Sequence, residues 1–113
     1  MQNIKGYNSN KNFGLRCENK IKNFYENKGW YVKQSPGSFG INDLTCIKKG
    51  QTHFVQVKGT RNPDKIPYIS KDDTNKLNAK SKYNNAVPII AKVMGNNQIR
   101  INNGINKKKQ FIY

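Results

Sequence analysis

The residue pattern predicts an α/β fold in the order α-β-β-β-α-β, with a further short strand after it. Three observations carry the prediction. Apolar residues recur at helical period from Phe13 to Tyr25. Aromatic and β-branched runs follow, separated by glycine and proline. A near-continuous apolar run, Val87–Met94, comes after a second helix-start pattern at Ser70.

At about 100° per residue, Phe13, Cys17, Ile21 and Phe24 share one arc, with Tyr25 and then Glu18 on its flank. This predicts an amphipathic helix from about Asn12, as N-cap, to Lys28, with Gly29 as the residue that ends it. Residues 1–11 are polar with little periodicity and are expected to form a flexible arm. Trp30–Ser35, Asn42–Lys48 and Thr52–Lys58 read as three strands of an antiparallel meander, with turns at Pro36–Gly40 and Gly50. Ser70-Lys-Asp-Asp73 fits a helix cap with two carboxylates in the first turn, where the helix dipole favours them, so a second helix is expected to about Tyr83. Its apolar face rests largely on Leu77. Val87–Met94 suits a strand covered on both faces, Gln98–Asn102 a short strand beside it, and residues 103–113 a basic-aromatic tail.

With 113 residues, the chain is expected to be one domain, and the 35% hydrophobic content implies a very polar surface around a single core. Twenty-one basic residues against six acidic ones leave a net charge of +15. A charge of that size repels itself unless a polyanion screens it, so nucleic acid is the expected partner. An AT-rich genome would also enrich Lys and Asn. Cys17 and Cys46 lie in apolar stretches without zinc-site spacing and are expected to be buried thiols of a reducing compartment. With no apolar run of about 18 residues and no leader pattern, the expectation is a cytoplasmic protein without membrane contact, in the host cytoplasm if the source is viral.

Phosphodiester cleavage needs an activated water, a less repulsive phosphate and a relieved leaving oxygen, and carboxylates holding a divalent metal beside a lysine serve all three. Such a set occurs here: Asp43 at the start of the second strand, Gln56 and Lys58 on one face of the third, and Glu18 at the edge of the first helix's buried face. His53, the lone histidine, has the opposite strand parity from Gln56 and Lys58 and reads as structural or surface.

From Phe13 to Lys58, these residues resemble the archaeal-type Holliday-junction resolvases of the PD-(D/E)XK nuclease superfamily. The resemblance rests on Glu18, Ser35-Pro-Gly-Ser38, Asp43 and Phe54-Val-Gln-Val-Lys58, and it continues through Ile66–Ser70, the second helix and Val87–Val93. It implies a restriction-endonuclease-like core, a central mixed sheet flanked by helices, and a homodimer that cuts four-way or other branched DNA with Mg²⁺ or Mn²⁺. By the same resemblance Glu18, Asp43, Gln56 and the backbone carbonyl of Val57 are metal ligands, Lys58 is the catalytic lysine, and Ser38 stands near the scissile phosphate. Arg16, Lys33, Arg61, Lys65, Tyr68 and Lys71 are the expected DNA contacts, and Lys107–Lys109 would add affinity without sequence preference.

Two positions depart from the family pattern. Gln56 replaces an acidic ligand, so it offers an amide oxygen without the charge, and Lys33-Gln34 stands where an arginine is common. The superfamily also hosts restriction-like, homing, flap and single-strand nucleases, and a non-catalytic junction-binding module is a further alternative.

Overall fold

The structure, a computed structural model, describes residues 2–35, 41–105 and 110–112, with side-chain surroundings for 12–35 and 41–105. The elements are α1 (Gln2–Asn27), β1 (Tyr31–Gln34), β2 (Leu44–Lys48), β3 (Gln51–Gly59), α2 (Lys71–Tyr83), β4 (Val87–Val93), β5 (Ile99–Asn103) and β6 (Gln110–Ile112). Ser38 and Lys107–Lys109 lie outside the described residues.

Two boundaries correct the sequence reading. Helix α1 begins at Gln2, not near Asn12, since no proline interrupts the polar segment and Gly6 and Gly14 each cost a helix only about 1 kcal/mol. The segment read as a basic-aromatic tail contributes β6, which pairs antiparallel with β5, Ile101 opposite Phe111.

The other elements form where expected. Gly29, at φ +89°, ends α1. Lys49 and Gly50, both at positive φ, make a two-residue turn whose twist suits the β2–β3 hairpin, with Lys48 paired to Gln51. Ser70 caps α2, its hydroxyl accepting from the Asp73 N–H at 3.0 Å.

The sheet runs in the order β1-β2-β3-β4-β5-β6. Only β3 and β4 pair in parallel, because α2 carries the chain back between them; every other neighbour is antiparallel. Helix α1 covers one face of this mixed sheet, and Cys17, Ile21 and Tyr25 pack there against Val32, Leu44, Cys46, Val55, Ile89 and Ala91. Helix α2 covers part of the other face through Leu77, which meets Phe54 and Ile90. Burying that one leucine contributes about 1.5–3 kcal/mol, a large share of what holds so polar a helix. The two cysteines are free and buried. Burial pushes the Cys46 thiol up to about 12, so it stays protonated and inert.

Alternation along β3 decides what each face receives. Val55 and Val57 join the α1 side and Phe54 the α2 side, which puts Gln56 and Lys58 on the α2 side as well. His53 falls on the α1 side, where Tyr25 bonds its Nδ1 at 3.0 Å and the Trp30 ring lies 4.4 Å away. Among the described residues, no helix is long and apolar enough to cross a membrane.

Candidate active site

Strands β2 and β3 pair only as far as Leu44 opposite Val55, while β3 continues alongside β4 to Gly59. Among the described residues, the last part of β3 therefore has no strand partner on the side that β2 has left, which leaves an open edge. Asp43, just before β2, occupies that edge. Its N–H donates to the Val55 carbonyl at 2.8 Å, and its carboxylate Oδ2 accepts from the Val57 N–H at 2.7 Å. The carboxylate thus takes a ladder position that a further β2 residue would have filled.

Extending the register by one residue sets Gln56 across from Asp43. The backbone N–H and C=O of one strand residue leave on the same side, so the Val57 carbonyl is turned to the same open edge. Lys58 lies near enough for its charge to pull the Asp43 carboxyl down, against burial, which pushes it up more strongly. Glu18 enters from α1 at the same fork. Burial and then the charge of Asp43 hold its carboxyl above the usual range, and a hydrogen bond from Gln34 opposes them.

The structure therefore brings Glu18, Asp43 and Lys58 into one electrostatic group, with Gln56 and the Val57 carbonyl beside it. Among the described residues, no group of three or more His, Cys, Asp or Glu is placed to hold a metal ion. At the β3 position across from Asp43 the chain carries the neutral amide Gln56 rather than a carboxylate. Two crowded carboxylates, an amide oxygen and a main-chain carbonyl nevertheless make an all-oxygen donor set with net negative charge, which fits a hard divalent cation.

The expected DNA contacts divide between the two faces of the sheet. Arg16 and Arg61 meet on the α1 side at a hollow of about 290 Å³, together with Lys20, and the Arg61 guanidinium lies 4.3 Å from the Phe13 ring centre. Tyr68 and Lys71 line a groove of about 550 Å³ on the α2 side, and Tyr68 is 80% exposed. Lys33 is exposed on β1 and Lys65 in the loop before α2.

Sequence reasoning missed the support beneath Asp43. Asn42 is 2% exposed and saturated: its Nδ2 donates to the Leu44 carbonyl and to Thr45 Oγ1, each at 3.0 Å, and its Oδ1 accepts from Lys80 at 2.8 Å. Gln34, which steadies Glu18, was also missed as a support. Asn42 adjoins the strand-initial aspartate, but nothing local marks a partner 38 residues away.

Comparison with known proteins follows the same lines. The model of the archaeal Holliday junction resolvase (Hjc) family matches residues 9–113. The chain belongs to that family. Its members are nucleases that act on Holliday junctions, and this protein is one of them. The fold agrees: the solved structure of Hjc from the archaeal hyperthermophile Archaeoglobus fulgidus superposes with a TM-score of 0.71 at 17% identity, covering 88% of this chain and 87% of that one. No curated protein matches. This resolvase reaches its fold with few residues in common with that protein.

Proposed function

We propose that this resolvase is a Mg²⁺- or Mn²⁺-dependent crossover junction endodeoxyribonuclease that acts in the cytoplasm as a homodimer, one site per subunit, and nicks four-way junctions in pairs. The observation that carries the proposal is the tether from Asp43 to the Val57 N–H, with the charges of Glu18 and Lys58 acting at the same fork.

Glu18, Asp43, the Gln56 amide oxygen and the Val57 carbonyl would hold the divalent ion. When bound, the ion supplies Lewis acidity at the phosphate and a more acidic water. Lys58 then places an ammonium beside the attacked phosphate, stabilising the charge that builds on its oxygens. Gln34 holds Glu18 in position, and the Val57 N–H does the same for Asp43, so neither carboxylate need reorganise as the phosphate arrives. Ser38 is proposed to contact the scissile phosphate. Arg16, Lys33, Arg61, Lys65, Tyr68 and Lys71 grip backbone and shape rather than base sequence, and residues 107–109 add unspecific affinity.

A labelled four-way junction incubated with Mg²⁺ or Mn²⁺ tests this directly. Wild type should give paired nicks, with Asp43→Ala and Lys58→Ala slower by about a hundredfold or more. Gln56→Glu, by adding a charge, should lower the metal concentration needed for half-maximal cutting. Unimpaired cutting by Asp43→Ala and Lys58→Ala would remove the site from the mechanism. Equal cutting of flap or linear duplex would move the protein to another nuclease class. Gln56 itself favours one rival, a junction-binding protein that does not cut; tight, salt-sensitive binding with no cleavage in either metal would establish that.

A further inference from the structure

The register of the sheet lines up cations at the site's end. Lys58 on β3 is directly opposite Lys92 on β4, and Lys92 is directly opposite Arg100 on β5. All three belong to the α2 face: Lys92 alternates with Ala91 and Val93, and Arg100 with Ile99 and Ile101, all on the α1 side. Neighbouring strands are about 4.8 Å apart, so the row spans about 10 Å of backbone, starting at the candidate catalytic lysine.

Like charges directly opposite each other weaken a sheet unless something neutralises them. Among the described residues, no carboxylate does so for Lys92. Burial and then the Arg100 charge hold its ammonium below the usual lysine range. Arg100 is under-used as well: its Nε is buried, without a hydrogen-bond partner among the described residues. Next to the row opens the groove of about 550 Å³ lined by Lys92, Lys71, Tyr68, Asn75, Asn102 and Asn103, with no acidic residue among its lining. The combination of unneutralised cations, an unpartnered donor and neutral amides suits an anion.

We propose that Lys92 and Arg100 form a second phosphate-binding station, which takes the DNA backbone next to the scissile phosphate and leads it from Lys58 across β4 and β5 into the α2-side groove. This rests on the junction-cutting function proposed above. Continuity with Lys58 identifies the occupant as the backbone of the same junction, since an independent small phosphate site would have no reason to share a row with the catalytic lysine.

Binding of a fluorescent four-way junction, measured by anisotropy in EDTA over a series of salt concentrations, tests the station without any cleavage. Lys92→Gln and Arg100→Gln should each bind several-fold more weakly. Their log–log salt slope should fall by about 0.9 per lost contact, and the double variant by about twice that. Lys49→Asn, in the turn at the opposite end of the sheet, should bind as wild type does. If Arg100→Gln fails to fold, the partly exposed Lys92→Gln carries the test alone. Wild-type affinity and slope in Lys92→Gln would overturn the station. So would competition by inorganic phosphate that displaces no DNA yet protects Lys92 from acylation, since that marks a separate small-anion site. Because the readout is metal-free, a wild type that binds but never cuts counts against the proposed nuclease while leaving the station standing. A wild type that cuts, beside row variants that bind normally, does the reverse.

Discussion

Asn42 uses all of its side-chain hydrogen-bonding groups within the interior, and Asp43 is the next residue along the chain. Replacing it with alanine leaves the Lys80 ammonium and Thr45 without that partner and loosens the turn that aims the Asp43 carboxylate. Asn42→Ala should lower stability by about 1–3 kcal/mol in chemical denaturation and slow cleavage as well; unchanged stability would mean the network is idle. Gly59 sets a different constraint at the other end of the site. A Cβ built there would collide with the Cys17 sulfur, and Phe13 closes in from the same helix. Gly59→Ala should therefore push α1 outward beside Glu18, costing about 1–3 kcal/mol from overpacking. Displacing a reacting group by about 1 Å can cost a hundredfold in rate, so the cleavage defect should exceed what the stability loss explains. Neither role is visible in the local sequence: Gly59 matters because Cys17 crosses above it, 42 residues earlier in the chain.

The seam between α1 and β3 illustrates what an element adds. Tyr25 from the helix and Trp30 from the turn after it enclose His53, with Tyr25 and Trp30 ring centres 5.2 Å apart in an edge-on arrangement. Burial lowers the His53 pKa from its ordinary 6.5, so the folded state disfavours the charged ring. The unfolded chain then binds more protons below that value. The stability that neutral His53 contributes is therefore present above about pH 6.5 and is lost as pH falls through the lower folded value. The thermal midpoint should drop on acidification below about pH 6.5, and His53→Gln should flatten the slope in that window; an unaltered slope would exclude His53 as the source. Strand parity set His53 on the opposite face from Gln56 and Lys58 in the sequence, and the structure keeps that division. Helix α2 was equally legible from Ser70, Asp72 and Asp73, whose effects are local. The early start of α1 and the existence of β6 were not, because neither segment carries an apolar period and each depends on backbone pairing rather than side-chain pattern.

At the scale of the whole molecule, the net charge of +15 governs both stability and partners. Repulsion among the excess cations opposes the compact state at low ionic strength. Raising salt from about 10 mM to 150 mM shortens the screening length from about 30 Å to 8 Å, so the thermal midpoint of the free protein should rise while junction affinity falls. If added salt weakened both together, self-repulsion would not be the dominant long-range force.

The sequence by itself determined the order of the main elements and the face each β3 residue would take, and it offered Glu18, Asp43, Gln56 and Lys58 as a candidate set. Those properties follow from periodicity and turn chemistry within a few residues. Only the tertiary structure decided where β2 parts from β3, which residues steady the carboxylates, and that Lys92 and Arg100 continue the row begun by Lys58. Such facts depend on register between distant strands and on a helix crossing over them, and no local pattern encodes a register set by packing across the whole sheet.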